Sequence, residues 1–82
     1  MITKIEKYGA TWCNPCKMLD KTLQDLPGTI ELIKYDADEH PELFEEKKIR
    51  NVPVLIYYNE NNEEVTRTVG SVTLNKILEI IE

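Results

Sequence analysis

The sequence has little of what a cofactor domain, a disulfide scaffold or a nucleic-acid-binding protein requires. It has 82 residues, with three glycines, one histidine and two cysteines, and its net charge is −5. A chain of this length buries only about 60% of the surface that its unfolded form exposes, so we expect one compact domain over residues 1–82. The excess of acidic residues argues against nucleic acid and anionic membranes as partners, because both favour a basic surface.

Long apolar runs are also missing. The run Val-Leu-Ile at residues 54–56 is far too short to span a membrane. The N-terminal residues MITKIEK are charged where a signal peptide needs an apolar centre, so we expect a cytoplasmic location. Two cysteines three positions apart, Cys13 and Cys16, close too small a loop for a structural disulfide to have much effect. Their spacing indicates a reactive or metal-binding role instead of a structural one.

The pattern of apolar and polar residues predicts seven elements in the order βαβαββα. Strands are predicted over residues 1–9, 29–35, 52–58 and 64–69, and helices over residues 13–26, 41–49 and 72–81. A strand–helix–strand start requires a parallel pair with a right-handed crossover, and the late hairpin adds an antiparallel pair. The predicted fold class is therefore α/β, with a four-stranded mixed sheet and helices on both faces.

The three helices carry more detailed expectations. Met18 is predicted to belong to the buried stripe of the first helix, together with Leu19 and Leu23. Ser71 or Thr73 is expected to cap the third helix. The second helix is predicted to end in basic side chains, which suit the negative end of its dipole: Lys47, Lys48 and Arg50.

The cysteine pair is predicted to lie at the start of the first helix, with Pro15 in its first turn. Unpaired N–H groups and the positive end of the helix dipole stabilise a thiolate there, and can lower a thiol pKa from about 8.5 to roughly 3.5–7.5. We expect Cys13 to be exposed and to attack a disulfide, and Cys16 to resolve the mixed disulfide. A structural zinc site is the alternative, but it needs four ligands, and the chain has no second cysteine pair and only His40 as a histidine.

Three separated motifs carry a family resemblance. Residues 10–18 read ATWCNPCKM, which resembles the thioredoxin active-site pattern W-C-x-P-C-K. Residues 51–54 read NVPV, similar to the loop that opens the third strand in that superfamily, and Gly70 follows the fourth strand as it does there. The resemblance covers the whole chain as a minimal version of the thioredoxin fold, without the additional N-terminal strand and helix.

The resemblance implies roles for individual residues. Pro53 is expected to be cis and to pack against the cysteine pair. The backbone of Val52 is expected to pair with an extended substrate segment. The residues expected to form the substrate groove are Trp12, Asn14, Pro15, Val52, Pro53 and Gly70. For Trp12, ordinary packing in the core is the alternative.

Two lysines are candidates for tuning the thiol pKa values. Lys17 follows the second cysteine, although a solvated helix lysine explains it nearly as well. Lys7 stands where many thioredoxins bury an aspartate, and its ammonium would favour the Cys16 thiolate electrostatically. The alternative for Lys7 is a side chain in solvent without a role. Asn14 replaces the glycine of the common C-G-P-C motif, so reductant strength does not transfer from the family.

The predicted function is thiol–disulfide oxidoreductase, running mainly as a reductant and without a bound cofactor, because the dithiol itself is the redox centre. The expected partners are disulfide-containing proteins and an upstream thioredoxin reductase or glutathione, and the expected state is a monomer. Residues 1–21 hold four lysines against two acids, so the acidic excess is expected to lie away from the active-site segment.

Three other functions stay open. One is a glutaredoxin-like reductase that depends on glutathione, although GSVT at residues 70–73 replaces the usual Gly-Gly-acid sequence. Another is an electron donor to ribonucleotide reductase. The third, from a different class, is a binding module that keeps the fold but not the catalysis.

Overall fold

Seven helices and strands follow one another in the predicted order βαβαββα in a computed structural model that describes residues 1–82. They are β1 (Ile2–Gly9), α1 (Asn14–Leu23), β2 (Glu31–Asp36), α2 (Pro41–Glu46), β3 (Val54–Asn59), β4 (Glu64–Val69) and α3 (Leu74–Ile81). None of the three helices has both the length and the apolar character of a transmembrane segment.

The four strands form one mixed sheet in the order β2-β1-β3-β4. β1 runs parallel to β2, and β3 runs antiparallel to both β1 and β4. The central strand β3 is buried from Val54 to Tyr58, which explains why its sequence is a continuous apolar run without alternation. The predicted mixed sheet is confirmed.

Helices cover both faces of the sheet, as predicted. α1 and α3 cover one face, where Ile5 and Leu55 pack with Leu19, Leu23 and Ile77. α2 covers the other face, where its Phe44 packs with Tyr8 and Ile56. Because successive strand residues point to opposite faces, neighbours such as Glu6 and Lys7 are buried in different cores.

The core on the α2 face contains one buried carboxylate, that of Glu6. Its Oε1 accepts a hydrogen bond from the hydroxyl of Tyr8 at 2.8 Å and another from the hydroxyl of Tyr58 at 2.7 Å. Nζ of Lys4 lies 3.8 Å from the second carboxylate oxygen. Burial, reinforced by the hydrogen bond to Glu6, raises the pKa of both tyrosines above the usual value.

Several details from α1 to β3 differ from prediction, including the end of α1, which stops at Leu23 and not at residue 26. β2 begins at Glu31 because residues 27–30 form a turn closed by the Ile30 N–H on the Pro27 carbonyl. β3 begins at Val54, which leaves Pro53 just outside the strand. Met18 is 68% exposed, so its assignment to the buried stripe of α1 is wrong.

The end of α2 also differs from prediction. The helix stops at Glu46, so the assignment of Lys47, Lys48 and Arg50 to its last turn is wrong. Lys48 has a φ of 59°, a left-handed conformation that ends the helix. Its N–H binds the Glu45 carbonyl, and the next N–H, that of Ile49, binds the Phe44 carbonyl at 2.8 Å. This is a Schellman motif with lysine in the position that glycine usually occupies.

The structure shows which of the two predicted residues, Ser71 or Thr73, caps α3. Oγ1 of Thr73 accepts a hydrogen bond from the Lys76 N–H at 3.2 Å, so Thr73 is the cap and Ser71 is not.

Candidate active site

Cys13 and Cys16 lie at the N-terminus of α1, at the end of the sheet where β1 finishes. Cys13 is the N-cap residue, and its Sγ accepts a hydrogen bond from the Cys16 N–H at 3.2 Å. The two cysteines form a disulfide, with their Cα atoms 5.3 Å apart. Pro15 occupies the first turn, where the helix has no use for its missing N–H. The predicted helix-start position is confirmed.

Both sulfur-bearing residues are buried. Cys13 is 6% exposed and Cys16 is 1% exposed, and they pack with Ala10, Ala37 and Val52. The expectation that Cys13 is an exposed residue is wrong, because these neighbours close around it. Cys13 is nevertheless the more accessible member of the pair.

The loop before β3 faces the cysteines. The Val52–Pro53 peptide bond is cis, as the resemblance implied. The carbonyl oxygen of Val52 lies 4.0 Å from Sγ of Cys13. Neither the N–H nor the carbonyl of Val52 takes part in a backbone hydrogen bond, since Val52 precedes the strand. This backbone is therefore free to bind an extended segment beside Cys13.

Gly70 holds the other side of this loop. Its N–H donates to the Pro53 carbonyl at 2.8 Å, which ties the end of β4 to the proline. Its φ of 85° is a left-handed conformation that favours glycine. The structure therefore brings together Cys13, the Val52–Pro53 pair and Gly70, which come from three separate segments of the sequence.

Trp12 stands beside this group in solvent. It is 67% exposed, so the alternative of core packing is wrong. Asn14 and Pro15, between the cysteines, are exposed as well. An exposed tryptophan next to a cysteine pair offers an apolar surface to a partner.

Lys7 lies behind the cysteine pair, on the face of the sheet that α1 covers. It is only 6% exposed, so the alternative of a side chain in solvent is wrong. Its Nζ donates to Oδ1 of Asp20 at 2.8 Å, and Nζ of Lys34 lies 3.2 Å from the same oxygen. Burial alone would raise the pKa of Asp20, but the hydrogen bonds from the two lysines outweigh it and lower the pKa below its usual value.

Gly9 leaves the space that brings Lys7 close to Cys16. A Cβ atom on Gly9 would lie 3.0 Å from Nζ of Lys7 and 3.3 Å from Cβ of Cys16. The ammonium and the second cysteine therefore approach the same point on the backbone of β1. Sequence reasoning missed Asp20 as the partner of Lys7. Its spacing was the available signal, because residues four apart share one face of a helix and Asp20 follows Cys16 by four.

A cavity of about 370 Å³ opens beside Lys7 and Gly9. Lys17 also lines it and is exposed. Asp36 and Glu39 line the same cavity, because the parallel pairing of β1 and β2 brings the acidic end of β2 next to the end of β1. Together with Asp20, these acids are matched by the three lysines of the lining, Lys7, Lys17 and Lys34, so acidic side chains approach the active-site segment in space but no acidic excess lines the cavity.

The fold and the cysteine pair at a helix start define a thiol–disulfide oxidoreductase. The family model for thioredoxin matches residues 3–82, and the chain belongs to the thioredoxin family. Its similarity to thioredoxin of Staphylococcus saprophyticus is 33% identity over 79 residues, which is 92% of this chain and 75% of that protein. Thioredoxin of Rickettsia felis is 32% identical over 78 residues, covering 90% of this chain and 73% of the relative.

Solved structures of thioredoxins have the same fold. A mutant thioredoxin from Halobacterium salinarum superimposes with a TM-score of 0.89 and 28% identity, over 96% of this chain and 71% of that one. A malaria parasite thioredoxin-2 gives a TM-score of 0.90 and 25% identity, over 98% and 82% of the two chains. The shared fold confirms the identification of the family from its motifs.

Proposed function

We propose that this protein reduces disulfides in other proteins, with Cys13 as the nucleophile and Cys16 as the resolving thiol. The observation that carries the assignment is the N-cap position of Cys13, whose sulfur accepts the Cys16 N–H. A sulfur that already accepts an N–H is stabilised as a thiolate. Cys13 is also the more accessible of the two cysteines, so it is the one that a substrate sulfur reaches.

The proposed reaction has two exchange steps. The Cys13 thiolate attacks one sulfur of the substrate disulfide, that bond breaks, and a mixed disulfide forms while the other substrate sulfur leaves as a thiolate. The Cys16 thiolate then attacks Sγ of Cys13 and releases the second substrate thiolate. The enzyme dithiol is oxidised to the Cys13–Cys16 disulfide, and two electrons pass to the substrate. The reaction needs no bound cofactor, because the cysteine pair stores the electrons.

The loop around Pro53 is proposed to hold the substrate. The free N–H and carbonyl of Val52 suit β-like pairing with the segment that carries the disulfide. Pro53 and Gly70 form the floor of this groove, and Trp12 adds exposed apolar surface beside Cys13. Asn14 and Pro15 complete its edge along the start of α1.

Lys7 is proposed to lower the pKa of the Cys16 thiol. Its buried ammonium approaches Cys16 across Gly9, where solvent screens little of its charge. Asp20 opposes this effect, because its carboxylate binds the same ammonium and lies one helical turn after Cys16. Lys17 is exposed, so solvent screens its charge and its influence on the thiols is smaller.

Lys7→Met in a Cys13→Ser background is expected to raise the pKa of Cys16 by about one unit, because a nearby positive charge is lost. Asp20→Asn in the same background is expected to lower it. The measurement is a pH titration of thiolate absorbance in the ultraviolet, and Lys17→Met is the matched control with an exposed lysine. Shifts of the same sign in the Lys7 and Asp20 variants would show a packing effect and contradict the electrostatic role.

The partners and the location of the protein are part of the same proposal. We place the protein in the cytoplasm as a monomer, with a thioredoxin reductase as its upstream reductant and protein disulfides as its substrates. Insulin reduction coupled to NADPH and thioredoxin reductase is expected to proceed with repeated turnover. Turnover supported by glutathione alone would contradict this assignment and favour the glutaredoxin-like alternative. The absence of any insulin reduction would favour a binding module.

A further inference from the structure

A second cavity, of about 270 Å³, lies on the α2 side of the sheet between the end of α2 and β4. Three basic residues line it, Lys48, Arg50 and Arg67, and no acidic residue does. The other lining residues are apolar or carry an amide. A basic cavity is unusual for this chain, whose net charge is −5.

Two of the three cations have no ionic partner. Arg67 is paired with Glu64, whose carboxylate accepts hydrogen bonds from Nε at 2.8 Å and from one terminal nitrogen at 2.9 Å. The other terminal nitrogen of Arg67 donates to the Lys47 carbonyl. Lys48 and Arg50 are exposed and form no salt bridge. The positive charge that the cavity offers to a ligand therefore comes from these two side chains.

The backbone at Lys48 supports a use for its side chain. Lys48 is in the left-handed conformation that ends α2, where a residue with a Cβ is less favourable than glycine. A lysine in this position places an ammonium group at the cavity at the expense of stability. Strained positions of this kind are characteristic of functional sites.

The cavity adjoins the proposed substrate groove. Its lining residue Asn51 precedes Val52 in the chain, and Val69 precedes Gly70. Val54, at the floor of the cavity, follows Pro53 directly and pairs with Val69 across the sheet. Val69 is 63% exposed and adds apolar surface between the groove and the cations. A segment that pairs with Val52 and continues past Gly70 reaches the cavity.

We propose that this cavity binds an acidic side chain in the disulfide-bearing segment of the substrate protein. Lys48 and Arg50 supply the charge, and the apolar lining at Val54 and Val69 accommodates the carbon chain of a glutamate or aspartate. The inference rests on the proposed function, since it assumes that the groove at Val52 holds this segment. It defines a preference among substrates: disulfides flanked by acidic residues are bound more tightly than neutral ones.

The test compares two labelled peptides that share a central serine in place of the substrate cysteine. One peptide has glutamate on both sides of the serine, and the other has glutamine at the same positions. Their affinities for the oxidised protein are measured by fluorescence anisotropy at low salt. We expect the glutamate peptide to bind about fivefold more tightly, as two exposed ion pairs allow, and the difference to disappear at high salt. In the double variant that carries Lys48→Gly and Arg50→Gln, the ratio of the two peptide affinities is expected to fall to about one.

Lys48→Gly suits this test because glycine fits the left-handed position, so loss of binding cannot be attributed to unfolding. Lys76→Gln removes an exposed cation of α3 that lines neither cavity, and it is expected to leave the ratio unchanged. Equal affinities for the two peptides in the wild-type protein would overturn the proposal. Because the peptides carry no disulfide, this outcome is independent of insulin turnover, whose failure would instead overturn the proposed function.

Discussion

Replacing Cys16 with serine is expected to leave a protein that attacks one disulfide and then stays covalently bound to its substrate. Cys13 keeps its place at the N-cap, so its thiolate still forms the mixed disulfide, but no second thiol is present to break it. Catalytic turnover is therefore lost, and close to one equivalent of substrate is retained. Mass spectrometry of the unreduced protein after reaction with insulin measures the adduct directly.

Cys13→Ser is the matched control for this trap. It is expected to form no adduct, because Cys16 is 1% exposed and lies beneath the first cysteine, where a protein disulfide cannot reach it. An adduct on Cys16 in the Cys13→Ser variant, with none in Cys16→Ser, would reverse the two roles. Retained cellular function in Cys13→Ser would identify a binding module.

Glu6→Leu is expected to destabilise the fold by about 2–5 kcal/mol. Leucine fills the space but leaves the hydroxyls of Tyr8 and Tyr58 without an acceptor in the core, and each unsatisfied buried group costs about 1–3 kcal/mol. This is a large part of a total stability of about 5–15 kcal/mol. Urea unfolding followed by circular dichroism measures the change in the free energy of unfolding.

Two further variants separate hydrogen bonding from packing at this position. Glu6→Gln keeps one carbonyl oxygen as an acceptor, so its loss of stability is expected to be clearly smaller than that of Glu6→Leu. Adding Tyr8→Phe and Tyr58→Phe to Glu6→Leu is expected to restore part of the stability, because the orphaned hydroxyls are removed. A triple variant that is less stable than Glu6→Leu alone would assign the effect to packing.

Much of the fold could be predicted because local signals agree with one another. Pro15 and the apolar stripe that follows it placed the cysteines at a helix N-terminus, and β4 was predicted with its observed limits, Glu64–Val69. Met18 was misassigned because an apolar side chain alone does not define a buried face. The buried residues of α1, Cys16, Leu19 and Leu23, follow spacings of three and four, and Met18 lies off that line.

The surroundings of the cysteines were harder to predict because they depend on tertiary packing. Lys7 was identified as a charge of unexpected sign, but its partner comes from another element, and only the packing of α1 on β1 brings Asp20 to it. The basic cavity was not predicted at all. It forms because α2 ends one turn earlier than its sequence indicates, which moves Lys48 and Arg50 off the helix and beside β4.

Gly9 and Lys7 act together, because the position of the lysine side chain depends on the glycine. The bare backbone at Gly9 leaves room for the end of Lys7 on the side that faces the second cysteine, and a Cβ atom there would lie 3.0 Å from Nζ of Lys7, so the lysine would have to move aside by a few tenths of an ångström. Grafting this active site onto another thioredoxin scaffold therefore requires three residues beyond the cysteine segment: the glycine that makes the space, the lysine that fills it, and Asp20, which compensates the charge. Transplanting the WCNPC segment alone would carry over the nucleophile without its electrostatic setting.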